Sequence, residues 1–484
     1  MNISAIRQAF PQLTIPGVEA YYNDYIKQWK NIFENDPEWK TVKKGGLYKK
    51  GNRELNRLNA AKVLCDCFSD LTFSEQCEIT ISDPVLQEYV TNQLETNGFW
   101  ENVPERISVA YALGGCAVKV YANNGKPCID YVHADKFLPV AWTGKSVTSG
   151  SFVSVTQKNG SYYTLIEMQT SGKTEYKLFK SETQKNLGVQ CELSELYNFG
   201  DTADYETDVP MFAYFKPCVS NNAEYDTPLG MSIYANAIDT LKALDIAFDS
   251  FSREFVLGKK RIIVPSAAVQ TVVDMSSGNQ VTYFDADDEA YVAMKSDDTN
   301  ALKITDNTVE LRIQEHVSAI NALLNILCFQ VGLSAGTLSF DAVQGMKTAT
   351  EVISQDSKTA RTIKSNKNLL TEAIETVIHA LIAVGVYLNL IPKKDYTVTI
   401  GWQDNVVIDD NTLIDNNIKL VQAGLKSKVK AIMDVQKCDE ETATKELERI
   451  AKEQSVTGLT VDDFMNGGED DDETGDDAAQ PGAE

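Results

Sequence analysis

The chain has 484 residues, 43% hydrophobic and 24% charged, an ordinary composition for a folded protein and length enough for several subdomains. A formal net charge of -24 argues against a protein that coats nucleic acid, because such proteins gain affinity by neutralising phosphates. Val461–Glu484 holds ten of the acids and no Lys or Arg, so the body carries -14.

Met1–Phe10 lacks the sustained apolar core of a signal peptide. Residues 1 to about 45 read as helical, with Tyr21, Tyr22, Tyr25, Trp29 and Phe33 at helical spacing, a stripe suited to core or subunit contact more than to stacking on bases. Lys43, Lys44, Lys49 and Lys50 among Gly45, Gly46 and Gly51 read as a solvated basic loop, with contact to DNA as the sharper alternative. Leu55–Phe68 is helical in pattern, Cys77–Ile81 is extended, and Pro84 opens a helix at its first turn. Gly114–Tyr121 and Lys126–Val132 pair around Asn123-Asn124-Gly125, a hairpin signal. Further β-rich runs at Phe152–Thr156, Tyr162–Met168, Thr174–Phe179 and Met211–Pro217 give this part an α+β character.

From Tyr234, apolar residues at 238, 241, 244, 248, 251 and 255 mark one helix face, with Asp239, Lys242, Asp245, Asp249 and Arg253 on the other, up to Gly258. Arg261–Val273 and Val281–Met294 read as a small strand pair around Ser277-Gly278-Asn279. A second helix is expected to open at Asp306-Asn307-Thr308 and to run to Gly332, each helix being roughly 35 Å long. Two helices returning from a compact insert make a protruding hairpin. The stretch after Gly332, broken by Gly336 and Gly345, reads as a functional loop, and Thr348 with Glu351 as a capping box for a third helix through Ile382. The apolar block Val377–Ile391 falls short of the span a bilayer needs. Tyr396–Trp402 is a strand, Asn411–Ala423 and Lys437–Gln454 are helical, and the Gly- and Asp-rich tail beyond Gly458 is too polar to pack.

Catalytic patterns fail on context. Thr143-Gly144-Lys145-Ser146 resembles the end of a P-loop, but the required first glycine is Pro139 and the following residues read as a strand. Gly332-Leu-Ser334-Ala-Gly336 spells a nucleophile elbow, but a helix precedes it where a strand is needed. His133, His316 and His379 are far apart, the acidic cluster Asp285–Glu289 lacks the glycine and terminal Glu of a calcium loop, and the nine cysteines contain no CxxC, so free thiols are expected.

Three stretches carry a resemblance: Tyr131-Val-His-Ala-Asp135-Lys-Phe-Leu-Pro139, Thr227-Pro-Leu-Gly230 through Asp245, and Gly345-Met-Lys-Thr-Ala-Thr-Glu-Val352. In this order over roughly residues 110–390, they resemble portal proteins of tailed bacteriophages, in the siphophage branch. The resemblance implies an α+β portal-type fold: a wing over 1–230, stem helices over 231–258 and 306–332, a β-rich clip over 259–305, a tunnel loop over 333–347, a long helix over 348–392, a helical crown over 393–456 and a disordered acidic tail over 457–484. It implies a ring, usually a dodecamer, at the capsid portal vertex of the virion, assembled in the host cytoplasm, through which double-stranded DNA is packaged and ejected. Partners would be the terminase large subunit, a head-completion or adaptor protein, and the major capsid and scaffolding proteins, with no membrane, cofactor, metal or catalytic residue.

The tunnel loop facing DNA would comprise Ser334, Ala335, Gly336, Thr337, Leu338, Ser339, Phe340, Asp341, Ala342, Val343, Gln344, Gly345, Met346 and Lys347. Lys259, Lys260 and Arg261 are candidates for channel or motor contact, with simple helix-end capping as the alternative. The competing readings are a helical scaffolding or adaptor protein without a DNA channel and, disfavoured by the failed motifs, a nucleotide-dependent enzyme.

Overall fold

The computed structural model describes residues 3–44, 51–73, 76–144, 146–258, 310–340, 357–402, 410–436, 438 and 440–457, with strand segments at 262–265, 271–273, 280–282, 291–294 and 305–306. Helix and strand are mixed, as an α+β chain requires. The described residues form two compact units, one reaching Trp402 and the other running from Asp410 to Thr457.

The expected N-terminal helix is interrupted. Helix α1 (Ile3–Ala9) stops before Pro11, and helical structure resumes after Pro16-Gly17 as a π-helical turn (Tyr21–Ile26) continuing into α2 (Lys27–Phe33). Proline has no N–H for a helical hydrogen bond, and Gly17 follows at once. The aromatic stripe is core: Tyr21, Tyr22 and Trp29 are almost fully buried, with the Tyr21 and Trp29 rings edge-on at 5.7 Å, and only Tyr25 faces outward. Lys43 and Lys44 are not in a loop: they end β1 (Thr41–Lys44), which pairs antiparallel with β2 (Gly51–Glu54), opened by Gly51; residues 45–50, with Lys49 and Lys50, lie outside the described residues.

Helix α3 (Ala60–Thr72) starts five residues later than the pattern predicts, because the backbone from Leu55 to Leu58 is bound elsewhere, as described below. After β3 (Glu78–Ile81), Asp83 accepts from the Val85 and Leu86 amides and Pro84 occupies the first turn of α4 (Pro84–Thr96). Helix α5 (Phe99–Leu113) leads into β4 (Cys116–Asn123) and β5 (Lys126–His133), joined by Asn124-Gly125 at φ 49° and 73°, the left-handed pair that a tight hairpin turn requires.

An antiparallel meander follows: β6 (Phe137–Thr143), β7 (Ser146–Lys158), β8 (Ser161–Thr170) and β9 (Lys173–Ser181), with β10 (Val189–Cys191) and β11 (Thr202–Asp204) both on β9. Strand β12 (Phe212–Phe215) returns to β4, making a second sheet. Lys119 on β4 and Glu167 on β8 form a buried ion pair at 2.7 Å that ties the two sheets together. The Thr143–Ser146 motif is the turn between paired strands, with Thr143 opposite Ser146, so no helix N-terminus stands there to hold phosphate.

Helix α6 spans Ile238–Leu257 and α7 spans Ile313–Val331, about 30 and 28 Å at helical rise, shorter than expected. The second helix does not open at Asp306. Thr305–Asp306 instead forms a strand, β17, antiparallel to β13 (Ile262–Pro265), because pairing with a distant strand outweighs a local capping pattern. Strand β13 also pairs in parallel with β16 (Tyr291–Met294), while β14 (Thr271–Val273) and β15 (Gln280–Thr282) make the hairpin read from Ser277-Gly278-Asn279. The single expected strand pair is thus two small sheets. Asp285–Glu289 lies outside the described residues.

Helix α8 (Ser357–Tyr387) runs through the core of the first unit, burying Ile374, Val377, Ile378, Leu381 and Val384; the capping box at Thr348 and Glu351 lies outside the described residues. Contrary to the sequence expectation, Lys358–Tyr387 is long and apolar enough to cross a bilayer, yet over half of its most apolar window is buried within the fold. Strand β18 (Val398–Gly401) pairs with β3, more than 300 residues earlier, so the chain to Trp402 goes with the first unit rather than with the helices that follow. The second unit contains α9 (Asp410–Gln422), α10 (Lys428–Gln436) and α11 (Glu440–Thr457). Helix α10 was not expected. Lys426 bridges Asn417 of α9, at 2.6 Å, and Asp434 of α10.

The nine cysteines are free thiols. His133 lies 3.3 Å from Arg106, His316 3.7 Å from Glu254 and His379 2.8 Å from the Tyr396 hydroxyl, three separate structural settings.

Candidate channel loop and its stem

Helices α6 and α7 pack against each other, and one end of the pair is closed by a charged clamp. Glu254 accepts from Arg312 Nε at 3.0 Å, from its Nη2 at 2.9 Å and from its backbone amide at 3.3 Å. Those bonds hold the Glu254 carboxyl down to about 2. A bidentate guanidinium–carboxylate pair fixes orientation as well as distance, so α7 leaves the β insert in one direction.

On the polar face of α6, Asp239, Lys242 and Arg253 are exposed but two carboxylates are not. Asp245 and Asp249 are 6% and 4% exposed. Asp245 accepts from the Trp39 indole at 2.8 Å and the Leu58 amide at 3.1 Å; burial raises its carboxyl, and these two bonds offset part of the rise. Asp249 accepts from both terminal nitrogens of Arg53, at 2.6 and 2.8 Å, and from the Asn56 amide at 3.1 Å. Trp39 and the stretch 53–58 are therefore strapped to α6, and the helix pattern expected from Leu55 gives way to that contact.

We expect Asp249→Ala to lower stability by about 2 kcal/mol, read as a lower denaturation midpoint at unchanged slope, since Arg53 and the Asn56 amide lose their acceptor. Hydrogen bonds from Arg53 hold the Asp249 carboxyl below the usual range. Its stabilisation is present above the ordinary carboxylate pKa and lost as pH falls through the depressed one, so the deficit of the variant shrinks in acid. A midpoint unchanged at neutral pH would show that the strap is not held there.

At the other end of the pair, Gly332 takes φ 88° as the left-handed cap of α7 and its carbonyl accepts from the Thr362 hydroxyl at 2.7 Å. Ser334, the serine of the elbow-like motif, is buried and no nucleophile: its amide donates to Thr359 Oγ1 at 2.9 Å, and the two hydroxyl oxygens lie 3.1 Å apart. Thus the chain leaves α7 beside Ser334 and enters α8 beside Thr359, almost at the same point. Everything between is an excursion that ends where it starts.

The start of that excursion, to Phe340, folds back along α7. Gly336 donates its amide to Asn325 Oδ1 and Phe340 to Asn321 Oδ1, both at 2.8 Å, while the Thr337 hydroxyl donates to the Ser334 carbonyl. Burial pushes the Cys328 thiol up, and the Leu338 amide facing it offsets part of the rise. The Phe340 ring reaches α6, with centroids 6.4 Å from Phe248 and 6.0 Å from Phe251. Ala335, Ser339 and Phe340 are exposed, and Gly336, Thr337 and Leu338 half-buried. Asp341, Ala342, Val343, Gln344, Gly345, Met346 and Lys347 lie outside the described residues, as do Lys259, Lys260 and Arg261. Sequence reasoning missed Asn321 and Asn325; two carboxamides four residues apart on a helix that ends in a glycine-rich loop are the signal that could have found them.

Comparison with known proteins bears on the whole of this arrangement. The family model described as phage portal protein, SPP1 Gp6-like, matches residues 18–457. No curated protein matches. Among solved structures, a chain from the "Virion of native gene transfer agent (GTA) particle" aligns over 78% of this chain and 88% of its own, at 8% identity and a TM-score of 0.38, too distant to carry weight. The family match takes in both described units, from the aromatic core of the N-terminal helices through the stem pair to α11, and on it the chain belongs to the SPP1 Gp6-like family of phage portal proteins.

Proposed function

We propose that α6, α7 and the loop between α7 and α8 line the DNA channel of a twelve-membered ring. In the same reading the segment 259–305 is the docking face for the terminase large subunit during packaging and for a head-completion protein afterwards. As a phage portal protein the chain is a structural subunit, not an enzyme, of an oligomeric ring at the capsid vertex of the virion, through which DNA is packaged and ejected. ATP hydrolysis then belongs to a separate motor, and an acidic body favours a wall that DNA slides past.

The observation that carries the channel assignment is the excursion between Ser334 and Thr359, set at the end of a clamped helix pair. Repetition around a ring puts every copy of the loop at one height, so weak contacts act by number. Lys259, Lys260 and Arg261, just past the last turn of α6, are assigned to the channel or the motor interface; a triple alanine variant that binds the motor normally would reduce them to helix-end capping.

The test is electron microscopy of the purified protein, with class averages viewed down the particle axis. Closed rings of twelve with a hole wide enough for a duplex are expected. Compact closed particles without a hole would overturn the channel.

A further inference from the structure

We propose that Asn321 and Asn325 are positioning residues that set where the channel loop leaves the stem, an inference that rests on the channel reading above. The two lie one helical turn apart on α7, and their carboxamide oxygens take the amides of Phe340 and Gly336 at 2.8 Å each. The loop therefore runs antiparallel to the helix it has just left, four loop residues matched to four helix residues. The Phe340 ring then crosses to Phe248 and Phe251 of α6, so the pinned strip spans both stem helices.

The consequence is geometric. Without the pins, residues 335–340 would be held mainly by the Thr337–Ser334 bond, the Leu338 amide against Cys328 and the Phe340 ring. With them that strip, up to roughly 20 Å of chain if extended, lies against α7 as far as Phe340, about one turn along the helix from the Gly336 contact. The pins thus set the point on the stem from which the chain goes on. A side-chain amide suits this task. Its oxygen accepts a backbone N–H without a charge, where a carboxylate would add negative charge to a channel that already has to admit phosphate.

Neither position is explained by folding of the stem itself. Asn325 is exposed and Asn321 half-buried, while Leu241 and Leu244 of α6 and Ile320, Leu324 and Leu327 of α7 are the residues that these helices bury in the common core. Alanine retains full helix propensity at both sites, so the double variant keeps α7.

The test uses assembled rings of the full chain, comparing Asn321→Ala/Asn325→Ala with the parent by amide hydrogen exchange over 336–340 and by DNA packaging. Exchange is expected to rise by about tenfold or more, with ring assembly unchanged and packaging reduced. Asn321→Asp/Asn325→Asp keeps both acceptors and is expected to restore slow exchange. Unchanged exchange in the alanine variant overturns the proposal. Faster exchange with normal packaging also overturns it; if a ring lacking 336–345 is then impaired, the channel reading survives, and if that ring too packages normally, the channel reading falls as well.

Discussion

Gly230→Ala is expected to yield no stably folded protein, a loss of more than about 4 kcal/mol. Gly230 precedes the stem and sits against Gly114, the left-handed cap of α5 at φ 83°. A Cβ on Gly230 would stand 2.6 Å from the Cβ of Lys216 and closer still to the Gly114 carbonyl oxygen, and a Cβ on Gly114 would meet the Gly230 carbonyl at 2.6 Å. Neither backbone can withdraw. Gly230 donates its amide to the Tyr214 hydroxyl at 3.1 Å and accepts from the Tyr21 hydroxyl at 2.8 Å; Ile233 donates to the Tyr111 carbonyl, and the Tyr234 hydroxyl to that of Trp29. These buried aromatic hydroxyls satisfy the backbone where the stem joins the sheets, so relief of the clash breaks several of them at once. Gly17→Ala, with ordinary φ and its nearest foreign atom 4.0 Å away, is the matched control and is expected to fold normally. Thermal melts and soluble yield distinguish the two; a Gly230→Ala protein that melts with the parent would show that the two backbones can part cheaply.

The junction also marks how far local sequence carries. Elements set by nearest neighbours were legible: the Asn124-Gly125 hairpin, the Asp83-Pro84 helix start, the aromatic stripe of Tyr21, Tyr22 and Trp29, and the helix pair with a loop after Gly332. Those decided by distant partners were not. Asp245 and Asp249 have the spacing of a solvated face and are buried because Trp39, Arg53 and the amides of 56–58 arrive from almost 200 residues away. Asp306-Asn307-Thr308 has the composition of a helix cap, yet Asp306 pairs with Ile262 in a sheet. Strand β18 is legible within Tyr396–Trp402, but its partner β3 is beyond any local rule. Helix α10 spans only nine residues, none of them buried, too short a window for the spacing of Val429, Ile432 and Met433 to stand out. For the candidate site, the loop was legible and the asparagine pins were not, since a hydrogen bond from loop to helix leaves no periodic trace.

Deleting residues 336–345 is expected to leave rings intact and to cut packaged or retained DNA by about tenfold or more. The fold should tolerate the loss because the ends of the excursion already touch: Ser334 and Thr359 are bonded through amide and hydroxyl, and Thr362 holds the Gly332 carbonyl. A loop whose ends meet can be shortened at little entropic cost, since closure depends only weakly on length. What the deletion removes from the described fold is two amide bonds to Asn321 and Asn325, the Thr337 hydroxyl bond to the Ser334 carbonyl and the exposed Phe340 ring, together about 2–4 kcal/mol of local interaction that the α6–α7 core does not need. Function has no such margin under the proposed channel role: every subunit would contribute its loop at the same height, so the deletion would strip the whole circle of contacts in one step. Ring counts by electron microscopy and nuclease-protected DNA per particle read the two halves of the prediction separately. Normal protected DNA in intact rings would remove the loop from translocation and leave the helices alone as the channel wall.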